Sequence, residues 1–234
     1  PQSAVPESHR LSETLDQLID RRTAFLTGYQ DRAYGARYSA RVRRVREAEA
    51  LCRPDSTELT AAVARGLFKL MAYKDEYEVA RLYTQGDFLK GVGDQFEGSY
   101  ELRFHLAPPI LGDRDPQTGH LKKREFGPRM LTVFRLLAKL KWLRGTRFDI
   151  FARSEERRTE RRLIAEYEAV IDEIISRLTP ANHPTAVELA ALPLEIRGFG
   201  HIKEANLARA KVKEASLLAR LRAPAPEPAL AAAE

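Results

Sequence analysis

The sequence LFKLMAYKDEYEVARLY, residues 67–83, is the stretch from which we predict the fold class of this chain. Its apolar residues recur at steps of three and four: Leu67, Leu70, Met71 and Tyr77. Such spacing predicts a helix with one apolar face. The same turns carry the ionisable residues Lys69, Lys74, Asp75, Glu76, Glu78 and Arg81. We expect one helix, opening at Ser56 or Thr57 and ending after Thr84, with a solvated ion network opposite its packed side.

The composition indicates a globular, non-membrane protein. The chain has 234 residues, of which 44% are hydrophobic and 31% are charged, so it is long enough to bury a core. No run approaches the roughly 18 apolar residues that a membrane span requires. The one cysteine, Cys52, excludes an internal disulfide framework and a four-cysteine metal or cluster site. It also fits a reducing compartment, so we expect a cytoplasmic protein with no membrane partner.

A modest basic excess raises the question of an anionic partner. The net charge is +6, from 39 basic and 33 acidic residues. A basic segment contains Arg37, Arg41, Arg43, Arg44 and Arg46, and a second covers residues 153–162. These could neutralise phosphates. No aromatic residues are interleaved in a recognisable RNA-binding pattern, so a mixed-charge, salt-bridged helical surface is the favoured interpretation.

Helical patterns fill most of the remaining chain. A helix is predicted from Ser12, another after Pro128, a long one capped by Ser154, and a last one reaching Leu221. The helix after Pro128 has apolar residues around most of its circumference, so we expect it to be buried on several sides. Residues 1–8 are predicted to be a linker, residues 9–222 one helical module, and residues 223–234 a disordered tail.

One stretch has the pattern of a β-strand instead. In YELRFHL, residues 100–106, apolar and polar residues alternate with period two. Turn-forming residues occupy 113–119, and residues 121–126 can return as a second strand. The sequence therefore predicts a mainly α, multi-helix domain with one β-hairpin at about residues 99–126.

Five polar side chains are candidates for an interface or a channel. Arg103 and His105 share the polar side of the predicted strand, where they could hold a carboxylate or a phosphate. Arg197 and His201 flank two glycines in a segment that could present free N–H groups to an anion. Lys74 could act only if it were buried. A solvated strand face and a plain helix–helix turn are the ordinary alternatives.

No motif assigns catalysis to this chain. The sequence contains no GxSxG, HExxH or CxxC, and its five histidines have no ligand spacing. From the residues alone we predict no catalytic, cofactor-binding or metal-binding residue.

Five long stretches together resemble a known family. They are DRRTAFLTGYQDRAYGARY at 20–38, LFKLMAYKDEYEVARLYTQGDF at 67–88, YELRFHLAPPIL at 100–111, KREFGPRML at 123–131 and LPLEIRGFGHIKEANL at 192–207. Their order and content resemble the C-terminal helical module of the fused indolepyruvate ferredoxin oxidoreductases. The resemblance covers nearly the whole chain.

The resemblance implies an accessory role. Those enzymes oxidatively decarboxylate 2-oxoacids such as aryl-pyruvates to acyl-CoA, using thiamine diphosphate and Mg²⁺ and passing electrons through [4Fe-4S] clusters to ferredoxin. This sequence lacks the GDG motif for thiamine diphosphate and the cluster cysteines, so no catalytic residue can be carried over. The implied partners are the catalytic domains of the same enzyme, a second copy in a homodimer of the parent, and ferredoxin.

In that setting, Arg103, His105, Arg197 and His201 are expected to face the core enzyme or its CoA or substrate channel. Two alternatives remain open. One is a basic helical protein that binds nucleic acid through residues 37–53 and 153–162, although nucleic acid is the less favoured partner. The other is a free-standing scaffold with no enzymatic role.

Overall fold

The computed structural model describes residues 13–84, 88–96, 98, 100–106, 124–152, 154–198 and 200–223. The predicted linker at 1–8, the predicted hairpin tip at 113–119 and nearly all of the predicted tail lie outside these residues.

The described residues form a mainly helical chain with one two-stranded antiparallel hairpin, which confirms the predicted fold class. The α-helices are α1 Leu15–Tyr29, α2 Arg32–Cys52, α3 Glu58–Met71, α4 Glu76–Thr84, α5 Phe88–Gly93, α6 Met130–Lys139, α7 Glu155–Arg177, α8 His183–Ala191 and α9 His201–Arg222. The strands are β1 Phe104–Leu106 and β2 Arg124–Phe126, and 3₁₀ turns cover Leu140–Leu143 and Leu192–Glu195.

The helix predicted across residues 67–83 is in fact two helices, α3 and α4, separated at residues 72–75. Asp75 explains the break, because its Oδ1 accepts a hydrogen bond of 2.8 Å from the backbone N–H of Glu78. A side chain that caps α4 in this way satisfies an N–H that has no partner within the helix. The prediction of one continuous helix was therefore wrong, although both halves are helical.

The chain divides into two compact units. Of the described residues, the first contains 13–28, 32–72, 163–198 and 200–223. The second contains residues 29–31 and 73–162. The single module predicted for residues 9–222 remains a prediction.

Helix α3 is the centre of the first unit. It packs against α2 on one side and α8 on another. Its buried positions run the length of the helix, and Leu59, Val63 and Leu67 are fully buried. The apolar stripe that defined the helix in the sequence therefore becomes the core of this unit.

A glycine allows α3 to approach its neighbours closely. A Cβ at Gly66 would lie 2.7 Å from the hydroxyl of Tyr167 and 2.8 Å from the carbonyl oxygen of Ala190. Those two groups are themselves joined by a hydrogen bond of 2.6 Å, donated by Tyr167. Neither can retreat easily, so this position requires a residue without a side chain.

An aromatic cluster forms the core of the second unit, where α4 packs on α6. The rings of Tyr83 and Phe134 stack at a centroid distance of 5.2 Å. Phe104, from β1, meets both rings edge-on, at 5.3 Å and 5.4 Å. Such offset and edge-on arrangements are the favoured geometries of aromatic pairs. The hairpin is thus anchored to the helices by Phe104.

The hairpin register agrees with the predicted alternation. Phe104 pairs with Phe126 and His105 pairs with Glu125. Phe104 is buried and His105 is exposed, as period-two spacing requires. The paired part of the first strand is shorter than predicted, since it begins at residue 104 rather than 100.

Helix α6 is buried on one side only. Phe134 and Ala138 lie in the core, whereas Val133 is 46% exposed and Leu136 is 60% exposed. The prediction that this helix would be buried on several sides is therefore wrong. Its apolar residues exceed what α4 and the hairpin can cover, and the excess lies on the surface.

Candidate interaction surface

The five residues predicted as interface or channel candidates are all exposed. Lys74, Arg103 and His105 lie in the second unit, whereas Arg197 and His201 lie in the first. The strand pair brings Arg103 and His105 to the same neighbour, Glu125, which pairs in register with His105. Arg103 donates a hydrogen bond of 2.6 Å to the carboxylate of Glu125. This cluster is a solvated cross-strand ion pair.

The glycine segment at 198–200 is a turn into a helix. The Nε of Arg197 donates to the carbonyl of Leu194 at 2.9 Å, and His201 is the first residue of α9. Gly198 and Gly200 have φ angles of +96° and +53°, in the region that favours glycine. Phe199 lies outside the described residues. The turn itself accounts for the two glycines.

The second unit contains a buried ion pair that sequence reasoning missed. Arg144 and Asp75 are 4% and 3% exposed, and two hydrogen bonds of 2.5 Å and 2.8 Å join them. A third bond of 2.5 Å runs from Arg144 to the carbonyl of Tyr29, whose ring lies 3.6 Å below the guanidinium. Arg144 thereby fixes the start of α4.

Asp149 organises the loop that follows. Its carboxylate accepts hydrogen bonds from the backbone N–H of Gly145 at 2.8 Å and of Phe151 at 3.0 Å, and from the hydroxyl of Tyr77 at 3.2 Å. Asp149 is buried, while its neighbours Phe148 and Ile150 are 62% and 61% exposed. The anchored aspartate thus displays two apolar side chains on a fixed loop.

In the first unit, Glu49 caps a helix from a distance. Its Oε1 accepts from the Leu59 N–H and its Oε2 from the Thr60 N–H, both at 2.8 Å, near the start of α3. His183, fully buried, donates from Nε2 to Oε1 at 2.8 Å. Burial raises the pKa of Glu49, but hydrogen bonds from Thr60, His183 and Leu59 outweigh it, so the net pKa is lowered.

No local spacing could have revealed this cluster, because Glu49 and His183 are 134 residues apart. The residues 144–151 carried a weak signal, since acidic and basic residues stand there within an apolar connection. Sequence reasoning did not use it.

These buried groups are committed to holding the fold. Most of their polar atoms bond to helix ends, loop amides or each other, although the Nδ1 of His183 has no hydrogen-bond partner among the described residues. Among the described residues, no group of three or more His, Cys, Asp or Glu side chains is placed to hold a metal ion. We therefore assign the Mg²⁺ and iron–sulfur groups implied for the parent enzyme to none of the described residues.

Most of the arginines of α2 form ion pairs with acidic side chains. Arg37 forms a bidentate pair with Glu168, at 2.7 Å and 2.5 Å. Arg41 and Arg44 both contact Asp172. Arg46 pairs with Asp16 at 2.6 Å. The predicted salt-bridged surface is thus present on α2, and its positive charge is mostly neutralised.

The cations of α6 differ from those of α2. Within the part of the chain that the structure describes, the side chains of Arg129, Arg135 and Lys139 make no ion pair or hydrogen bond. Along the chain, Arg129 precedes and Lys139 follows the exposed Val133 and Leu136, and Arg135 lies between those two. We name this set, which also includes Thr132, the α6 surface: Arg129, Thr132, Val133, Arg135, Leu136 and Lys139.

Exposed apolar side chains continue beyond the α6 surface. Trp142, in the following 3₁₀ turn, is 58% exposed, and the guanidinium of Arg147 lies 4.8 Å from the ring centre of Phe148. Of the twelve large apolar side chains that are exposed in the described residues, nine lie in the second unit. Most of the exposed apolar side chains of the described residues therefore belong to the second unit.

Residues 15–216 match the model of a family described as a family of unknown function, DUF6537. The chain belongs to this family. No curated protein and no solved structure matches it. Among the described residues of this DUF6537 chain, no helix has the length and apolar character needed to cross a membrane.

Proposed function

We propose that the chain is a non-catalytic accessory module of an indolepyruvate, or more broadly 2-oxoacid, ferredoxin oxidoreductase, which packs on the catalytic domains of that enzyme. The observation that carries the interaction role is the α6 surface, where Val133 and Leu136 remain exposed beside three cations that have no ion pair with any described residue. The five stretches that resemble the oxidoreductase module supply the identity of the enzyme.

The interior supports a structural rather than a catalytic role. The most deeply buried ionisable pairs among the described residues, Asp75 with Arg144 and Glu49 with His183, lie at the starts of helices α4 and α3, which Asp75 and Glu49 cap. Polar networks that are satisfied in this way specify one fold and hold its elements in place. Helices whose ends are held in this way suit a role in packing on other domains.

The parent enzyme would supply the chemistry. Thiamine diphosphate with Mg²⁺ would supply the decarboxylation chemistry there, and [4Fe-4S] clusters would supply the electron transfer to ferredoxin. The module would contribute contacts to the catalytic domains and to the homodimer of the parent.

Purification from the native organism tests this proposal. The gene is tagged at its own locus, the protein is isolated at moderate ionic strength, and its components are identified by mass spectrometry. We expect peptides of a thiamine-diphosphate-binding oxidoreductase region, in the same polypeptide or in a stoichiometric complex. Isolation of the module with no such region, under conditions in which a known complex survives, would overturn the proposal.

The alternative of a nucleic-acid-binding protein has less support, because Arg37, Arg41, Arg44 and Arg46 are paired with acids. In the second basic segment, Arg157 lies 3.4 Å from Glu76. Phosphates would have to compete with these acids. A salt-dependent gel shift with duplex DNA or structured RNA would revive the alternative. The other alternative, a free-standing scaffold, is tested by the reading frame upstream of Pro1. It gains support only if that reading frame encodes no further domains.

A further inference from the structure

We infer that the α6 surface is a docking site for a protein partner whose contact patch has an apolar centre and acidic side chains around it. The inference rests on the proposed role of the chain as a module that packs on protein, and it names the chemistry of the partner at that surface. It does not depend on which enzyme the partner belongs to.

Helix geometry places the relevant side chains on one face. Residues three, four and seven apart lie near one another on a helix, so Val133 and Leu136 are neighbours, as are Arg135 and Lys139. Arg129 lies two turns before Leu136 on the same side. The buried residues Phe134 and Ala138 occupy the opposite side. Along the helix axis, the exposed Val133 and Leu136 therefore lie between Arg129 and Lys139.

The charge of this region is of one sign. Between Glu125 and Asp149 the sequence contains basic residues and no acidic residue. Asp149 is buried, and Glu125 is paired with Arg103. The cations of the α6 surface thus have no acid of their own segment to neutralise them. Complementary charge on a partner would remove this imbalance and would also orient the encounter.

The mixture of side chains favours protein over lipid or nucleic acid. Val133 and Leu136 are about half exposed, at 46% and 60%, so they form a shallow patch rather than the wide apolar face with which a helix inserts into a bilayer. Nucleic acid would use the cations but would gain little from aliphatic side chains. An apolar centre with a charged rim, with arginine and a nearby tryptophan, is the typical anatomy of a protein interface.

Photo-crosslinking in native cells tests the inference. A benzophenone amino acid replaces Leu136 in the polypeptide as the cell produces it, and the crosslinked peptide is identified by mass spectrometry. We expect one dominant crosslink, to a protein segment that contains apolar residues flanked by Asp or Glu. The same amino acid at Leu51, which is 90% exposed on α2 in the first unit, is the positional control and should not give that crosslink.

Charge reversal supplies the second measurement. The double variant Arg135→Glu, Lys139→Glu should lower the crosslink yield at least about tenfold, because like charges would then face each other. The variant Arg43→Glu, Arg53→Glu changes the net charge equally on an exposed part of the first unit and should leave the yield unchanged. Reversing the acidic residues found in the crosslinked segment should restore the yield of the first double variant.

The inference would be overturned by a crosslink mainly to lipid, to nucleic acid or to a second copy of this chain. A crosslink to a neutral or basic protein segment would also overturn it, as would the absence of any crosslink. A yield that both double variants reduce equally would also overturn it. An acidic segment in a protein with no oxidoreductase region would leave the inference standing and refute the proposed function. An oxidoreductase that purifies with the chain but never crosslinks at Leu136 would leave the proposed function standing and refute the inference.

Discussion

Arg144 and Asp75 form a buried, bidentate ion pair, with Nε–Oδ2 and Nη2–Oδ1 distances of 2.5 Å and 2.8 Å. Burial disfavours the charge on Arg144, but the hydrogen bonds of Asp75 and nearby negative groups outweigh it, so the pKa of Arg144 is raised. Because Asp75 also caps α4, one carboxylate connects the start of that helix to the turn after the 3₁₀ segment.

We expect Asp75→Ala to destabilise the protein by about 3–5 kcal/mol, because it leaves the guanidinium of Arg144 buried without a partner. The free energy of unfolding in urea is the measurement. Glu101→Ala, which removes a partner of Arg103 on the surface, is the control and should have no measurable effect. The double variant Asp75→Ala, Arg144→Ala should lose less than the sum of the single losses. If Asp75→Ala is as harmless as the control, the pair does not hold α4.

Glu49 makes the free energy of unfolding depend on pH in the acidic range. Its pKa is lower in the folded than in the unfolded chain, so its contribution is complete above the unfolded value of about 4.3 and is lost as the pH falls through the folded pKa. We therefore expect the difference in the free energy of unfolding between the natural protein and Glu49→Gln to shrink as the pH falls below about 4. Urea unfolding between neutral pH and acid checks this. A difference that stays constant with pH would contradict the assignment.

Two helical glycines should respond oppositely to alanine. Gly66→Ala should destabilise the protein, since the new Cβ would meet Tyr167 and Ala190 at 2.7 Å and 2.8 Å. Gly28→Ala, in α1, has no atom within 4 Å of the new Cβ and should stabilise by about 0.5–1 kcal/mol through helix propensity. Thermal unfolding of the two variants under identical conditions distinguishes them. Equal effects would mean that α3 does not pack as closely as described.

The four exposed candidates Arg103, His105, Arg197 and His201 yield a prediction for the full enzyme. If they face the core enzyme or its CoA or substrate channel, replacing them with alanine should lower turnover or weaken assembly. Steady-state kinetics and size-exclusion chromatography are the measurements. Arg43→Ala, at an exposed position on α2, is the matched control. Unchanged turnover and assembly in all four variants would refute the role.

Local patterns predicted most elements of this fold, and long-range contacts determined the features that they did not predict. The alternation of residues 100–106 placed Phe104 inward, and Ser154 opens α7 as its position suggested. The break at Asp75 was not predicted, because the apolar steps continue across it and the pairing of Asp75 with Arg144, 69 residues away, leaves no local pattern.

The candidate surface was hidden for a different reason. The apolar residues of α6 predict burial all around, and only the tertiary packing shows that Val133 and Leu136 have no cover in the described chain. Whether an arginine is paired also depends on distant acids, such as Glu168 for Arg37. Among the described residues, the arginines of α2 are mostly paired with acids and the cations of the α6 surface are not, and this difference is a property of the fold and not of composition.

The most direct test of the proposed function is the activity of the polypeptide isolated from native cells. Reduction of ferredoxin is followed with indolepyruvate and other aryl-pyruvates, with and without CoA and thiamine diphosphate. We predict turnover that requires both additions in the native assembly, and no turnover by residues 1–234 alone. A native assembly that never reduces ferredoxin with any 2-oxoacid, or turnover by the isolated chain, would contradict its assignment as an accessory module of this enzyme.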